Sequence, residues 1–116
     1  MSKTVLIVDD HPSFRGMARA LLESEGFTVV GEAEDGASAI ARYRELRPDI
    51  VLLDVQLPDT DGFSVATELT SNGSSPDIVL TSSRDAADYG PLVEESGARG
   101  FVPKAELSGD RLQELL

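Results

Sequence analysis

The chain has no cysteine, one histidine, and only 10 lysines and arginines against 21 aspartates and glutamates. Without cysteine there is no disulfide framework and no thiolate metal centre. With His11 as the lone histidine, multi-histidine metal sites are excluded. A formal net charge of −11 leaves no basic face for a nucleic-acid backbone or an anionic membrane surface. No apolar run approaches the roughly 18 residues of a membrane span. The start, Met1-Ser2-Lys3-Thr4, lacks the apolar segment of a secretory signal. These absences point to a cytoplasmic protein. Its 116 residues, 41% of them hydrophobic, suit one domain with one core, and no repeat or linker divides it. The Ser/Gly-rich stretch 71–75 is short enough to be a loop.

What the chain does have is alternation between short apolar runs and amphipathic stretches. Thr4 to Val8 reads as a strand apolar on both faces, as parallel sheets require. Pro12 opens a helix with Phe14, Met17, Ala18, Leu21 and Leu22 on its inner stripe, and Gly26 closes it. Residues 27–30 form a second strand. Asp35 caps a second helix with Ala37, Ile40, Ala41 and Leu46 inward, and Pro48 stops it. A third strand at 50–53 leads into a loop containing Pro58, Asp59, Asp61 and Gly62. Phe63, Val65, Ala66 and Leu69 carry a third helix, ending in Asn72-Gly73-Ser74-Ser75-Pro76. A fourth strand spans 78–80. Asp85 begins a weaker fourth helix, broken at Gly90-Pro91 and ended by Gly97. A fifth strand spans 99–102, and Ser108 begins the last helix.

Five strands alternating with five helices predict a flavodoxin-like doubly wound parallel sheet of order 2-1-3-4-5. In that order the first and third strands are central neighbours, and ligands bind where the chain reverses between them. Polar groups follow the apolar runs at that edge: Asp9-Asp10, Asp54, Thr81 and Lys104. Taken singly, each has a structural reading as a cap, a turn residue, a strand-end hydroxyl or a solvated lysine. Together, at the same end of different strands, they describe a site. Three converging carboxylates repel one another unless a cation joins them, and oxygen donors suit magnesium. Gln56 can add its carbonyl from the loop. Asp54 can accept a phosphoryl group as a nucleophile, with Lys104, the Thr81 hydroxyl and loop amides around the phosphoryl oxygens. His11 reads as a loop residue beside this site, a metal or pH-sensing role being the lesser reading. Phe101 reads first as core.

These residues resemble the receiver domain of bacterial two-component response regulators, and the likeness covers the chain from Val5 to Lys104, within one domain at 1–116. Its densest part runs from Pro48 through Asp54, Pro58 and Gly62. Asp9-Asp10-His11-Pro12 with Phe14-Arg15 is similar to the subfamily that usually carries a helix-turn-helix output domain. The resemblance implies a phosphoacceptor, Asp54, served by a sensor histidine kinase or phosphotransfer protein. It implies Mg2+ held by Asp9, Asp10, Asp54 and the Gln56 backbone carbonyl, with Thr81 and Lys104 on the phosphoryl group. Thr81 and Phe101 would form a switch that reshapes the face of helix four, strand five and helix five for an output domain or a homodimer. Gln56 and Ser83, each two positions past a site residue, would tune the lifetime of the acyl phosphate.

Two departures stand out. The family often has Lys-Pro after its fifth strand, whereas Pro103-Lys104-Ala105 stands here, so the loop and its face are expected to be set differently. Phe101 lacks the hydroxyl of the common tyrosine, so its switch must work by packing. A phosphorylation-independent interaction module is the alternative. A hydrolase with an aspartyl intermediate is a weaker third, because Gln56 occupies the position where haloacid-dehalogenase-like enzymes place a second aspartate. The chain stops at Leu116 inside the last expected helix, and the Asp-His-Pro start favours a longer transcription regulator over a stand-alone receiver.

Overall fold

The computed structural model describes residues 3–71 and 76–116, so the Asn72–Ser75 loop expected after the third helix lies outside the described residues. Five parallel strands form one sheet in the order β2-β1-β3-β4-β5. The strands are β1 (Thr4–Val8), β2 (Thr28–Ala33), β3 (Ile50–Asp54), β4 (Asp77–Ser82) and β5 (Gly100–Pro103). The helices are α1 (Pro12–Ser24), α2 (Gly36–Leu46), α3 (Gly62–Thr70), α4 (Leu92–Glu95) and α5 (Gly109–Leu115).

The unbroken apolar runs become the sheet interior because helices cover both faces. Side chains alternate between two cores. Val5, Ile7, Ile50, Leu52, Val79 and Val102 meet Ala18 and Leu22 of α1 and Leu112 of α5. Leu6, Val8, Val51, Leu53, Ile78 and Leu80 meet Ala39 and Tyr43 of α2 and Val65, Ala66 and Leu69 of α3. Every residue of β3 is buried. Each large aliphatic side chain there contributes about 1.5–3 kcal/mol, so the strand that ends in Asp54 is firmly placed.

Helix ends follow local chemistry. Gly26, at φ +97°, closes α1 as expected: its N–H reaches Glu23 and that of Phe27 reaches Leu22, a Schellman motif. Asp35 and Ser38 cap α2 reciprocally, side chain to backbone in both directions. The α2 stripe differs from expectation. Gly36, Ala39 and Tyr43 are its buried residues, and Ile40 and Leu46 pack against the core as expected, whereas Ala37 and Ala41 are exposed. In α1, Met17 is 47% exposed rather than inward. Alanine pairs and a lone methionine fit either side of a helix, so spacing alone misassigned them.

β2 runs three residues past its expected end. An irregularity between Val5 and Leu6 skips Val30, so Gly31, Glu32 and Ala33 continue the ladder beside Leu6, Ile7 and Val8. The fourth helix is also corrected. Residues Ala86–Asp88 form a 3-10 turn, and the α-helical segment starts only after Gly90, at φ +58°, and Pro91. Among the described residues there is no cis peptide bond, and none of the helices is long and apolar enough to cross a membrane.

Candidate functional site

Strand register assembles the site. β1 pairs with β3 through Val8 and Leu53, which sets Asp9 next to Asp54. Asp54 is directly opposite Thr81 on β4. Ser82 is opposite Pro103, so Lys104 leaves β5 at the same edge. The structure thus brings Asp9, Asp10, Asp54, Thr81 and Lys104 together. Asp9 and Asp54 are buried, Asp10 is exposed, and the Lys104 side chain is 18% exposed.

The Lys104 ammonium lies 2.7 Å from Asp9 Oδ2 and 3.4 Å from Asp54 Oδ2. The shorter contact is an ion pair without hydrogen-bond alignment, leaving Asp9 Oδ2 without a hydrogen bond; Thr81 Oγ1, also buried, has none either. Burial pushes the Asp54 carboxyl up to about 6, helped by the Asp9 charge and opposed by Lys104 and the Gln56 amide. Burial pulls Lys104 down, but the Asp9 and Asp54 carboxylates outweigh it and hold the ammonium above its usual range.

A divalent cation fits these donors. Ligand atoms of Asp9, Asp10, His11 and Asp54 all lie within 4.8 Å of one another. Three are hard carboxylate oxygens, and one lysine does not neutralise them. Gln56 donates its backbone N–H to Asp54 Oδ1 at 3.2 Å. Its carbonyl stands outside the bridge bonds between this loop and Asp61, which run through Val55 and Leu57. The Gln56 and Ser83 side chains are exposed.

Several contributors escape the spacing argument. Arg15, on α1, donates to the Asp9 carbonyl at 2.6 Å and to Glu32 at 2.9 Å, while Arg19 donates to the other Glu32 oxygen at 2.8 Å. The Arg19 hydrogen bond, with Arg15 assisting, holds the Glu32 carboxyl below its usual range despite some desolvation. Arg15 was visible only as part of the Asp-His-Pro segment, because Glu32 joins the sheet through a bulge. Lys104 Nζ also rests over the Phe14 ring, 4.6 Å from its centroid. Gly62 must be glycine, since a Cβ there would strike the Asp54 carbonyl and the Val55 backbone. Phe101 is half-buried in a row of rings: its centroid is 5.7 Å from Tyr89, which is 5.4 Å from Phe63. The Tyr89 hydroxyl bonds Ser82 Oγ at 2.7 Å, one residue past Thr81.

Comparison with known proteins agrees with this geometry. The family profile described as response regulator receiver domain matches residues 5–116. A putative transcriptional regulator of Pseudomonas aeruginosa is 42% identical over 116 residues, covering all of this chain and 54% of its own length. The chemotaxis protein CheY of Bacillus subtilis is 33% identical over 116 residues, covering all of this chain and 96% of its own length. The signal receiver domain of the putative response regulator NarL from Mycobacterium tuberculosis superimposes with a TM-score of 0.86. It is 34% identical and covers 98% of this chain and 96% of that one. The chain spans about half the length of the transcription regulators it matches. Fold, edge site and sequence agree that this chain belongs to the response regulator receiver domain family, the phosphoacceptor switches of two-component signalling.

Proposed function

We propose that Asp54 is the phosphoacceptor of this receiver, taking a phosphoryl group from a histidine kinase or phosphotransfer protein in the cytoplasm. The observation that carries this is the Thr81 hydroxyl: buried, unpartnered and in register with Asp54. A phosphoryl oxygen on Asp54 would satisfy it. Asp9, Asp10, Asp54 and the Gln56 carbonyl would hold Mg2+, which when bound offsets charge on the phosphoryl oxygens. With its carboxyl near pH 6, Asp54 is mostly ionised at neutral pH and ready to attack. Its oxygen forms the new bond to phosphorus as the bond to the donor imidazole nitrogen breaks, and the electron pair stays on that nitrogen. Lys104 moves from pairing Asp54 to pairing a phosphoryl oxygen. Thr81 donates its hydroxyl to another, and the Gln56 amide is positioned to serve a third.

Drawing Thr81 toward the phosphoryl group would shift the end of β4, where its neighbour Leu80 pairs with Phe101 and its neighbour Ser82 meets Tyr89. We read this as the coupling from site to surface: the ring row shifts and the α4–β5–α5 face changes shape for an output domain or a second copy. The four-residue α4, entered through Gly90-Pro91, offers little resistance. Gln56 and Ser83, exposed and two residues past Asp54 and Thr81, would approach the attacking water and tune hydrolysis. The protein acts as a switch that assists its own phosphorylation and dephosphorylation, and no observation favours a phosphorylation-independent module.

The test is incubation with acetyl phosphate and Mg2+ followed by intact-mass measurement. One phosphoryl group is expected on the wild type, and none on Asp54→Ala or without Mg2+. Phosphorylation of the Asp54→Ala protein would refute the assignment. An unchanged dephosphorylation rate after enlarging Gln56 would remove its tuning role.

A further inference from the structure

Tyr89 is anchored at both ends. Its hydroxyl shares a 2.7 Å hydrogen bond with Ser82 Oγ on β4, and its carbonyl accepts the N–H of Leu92, the first residue of α4, at 3.3 Å. Ser82 is buried, and its Oγ also accepts the Arg84 N–H at 3.1 Å. One serine hydroxyl thus gathers both the start and the end of the connection from β4 to α4. The rest of that segment is loosely held. No residue of α4 is buried, and Gly90, at φ +58°, turns the chain directly after Tyr89. Side chains alternate along β4. Thr81 shares a face with Val79, toward α1 and α5, whereas Ser82 shares the opposite face with Leu80, where Tyr89 and Phe101 pack. A movement of Thr81 therefore reaches that face through the strand end, and Ser82 is the next residue along it. Phe101 lies opposite Leu80 and carries no polar group, so it meets the movement by packing alone. A hydroxyl pair is directional and is lost once its geometry is disturbed.

We propose that Tyr89, through its hydroxyl on Ser82, is the positioning residue that couples Asp54 phosphorylation to α4. The pair latches the segment 89–95 to β4, and drawing Thr81 to the phosphoryl group releases it. This rests on the phosphoacceptor reading of Asp54. Coupling between two sites is reciprocal, so a protein without the latch should bind a phosphoryl group, or a mimic of one, more tightly. Tyr89→Phe removes one oxygen and keeps the ring between Phe63 and Phe101. Ser82→Ala removes the other half of the same bond.

Amide hydrogen exchange with and without beryllofluoride, a phosphoryl mimic, in the presence of Mg2+ tests this. In the wild type the mimic should speed exchange across residues 83–95 about fivefold or more. In either variant exchange should start at the raised level, the mimic should add little, and its dissociation constant should fall about fivefold. The double variant should match either single one, because both remove the same bond. The chain has two tyrosines, so a carbon-13 label at Cζ gives two resonances, which Tyr89→Phe assigns. The Tyr89 resonance should move when the mimic is added to the wild type, and far less in Ser82→Ala. Wild-type exchange and affinity in both variants would overturn the proposal and leave Asp54 as the phosphoacceptor. So would raised exchange with unchanged affinity, which would make the bond structural only. Failure of the wild type to bind the mimic, with no mass gain from acetyl phosphate, overturns both readings.

Discussion

A buried hydroxyl without a partner, as at Thr81, costs about 1–3 kcal/mol relative to a bonded one. Thr81→Val removes the orphan with almost no change in shape. It is expected to stabilise the protein by about 1 kcal/mol in urea unfolding, while abolishing any phosphorylation-dependent change at the α4–β5–α5 face. A loss of stability would mean that the hydroxyl already has a partner in solution. Asp54 makes a second residue-scale prediction through pH. Its folded carboxyl, at about 6, lies above the unfolded value of 3.8, so its favourable contribution is full below about pH 3.8 and is lost as pH rises through 6. Asp54→Asn removes the ionised form's penalty. Its melting temperature should therefore exceed the wild type's at pH 7.5, by about 1–2 kcal/mol equivalent, and converge on it near pH 4. A difference independent of pH would show that the Asp9 charge and burial do not act on Asp54 as the geometry requires. The sequence marked these residues because each ends an apolar run. It did not mark Tyr89, which follows no such run and matters only because its hydroxyl meets Ser82 and its ring meets Phe101.

Element-scale placement depends on close backbone approach and on caps. The N-terminus of α3 presses on the loop after β3, and Gly62 is where they meet. Gly62→Ala should cost about 2 kcal/mol or more and slow phosphorylation by displacing the Asp54 carbonyl; wild-type stability in thermal unfolding would contradict this packing. Asp35 heads α2 through its reciprocal cap with Ser38, and Asp35→Ala should cost about 1 kcal/mol in urea unfolding with little effect on phosphorylation. Both positions were legible in sequence, Gly62 as a turn residue and Asp35 as a cap. What was not legible was their reach: Asp59 of the β3–α3 loop also accepts the first α2 amides, Gly36 at 2.8 Å and Ala37 at 3.1 Å. A contact across 22 or 23 residues leaves no local pattern to read.

The whole molecule carries a net charge of −11, and three of its carboxylates converge at one sheet edge with a single lysine among them. Mg2+ should therefore raise the melting temperature more than monovalent salt at equal ionic strength. At about ten times its dissociation constant the gain is roughly 1.4 kcal/mol, and an Asp10→Asn variant should lose most of it. Equal shifts from both salts would indicate general screening rather than a site. The sequence by itself determined the architecture, because strands buried on both faces must be continuously apolar, and turn and cap residues set the element order. It also set Asp9, Asp10, Asp54, Thr81 and Lys104 side by side, since parallel strands all end at one edge. Tertiary structure alone decided how far β2 runs, where the α2 stripe faces, that Arg15 clamps the Asp9 carbonyl, and that His11 bends onto the acidic pair. Those features depend on a bulge, on helix rotation and on contacts between distant segments. Their energies come from neighbours that adjacency along the chain does not specify.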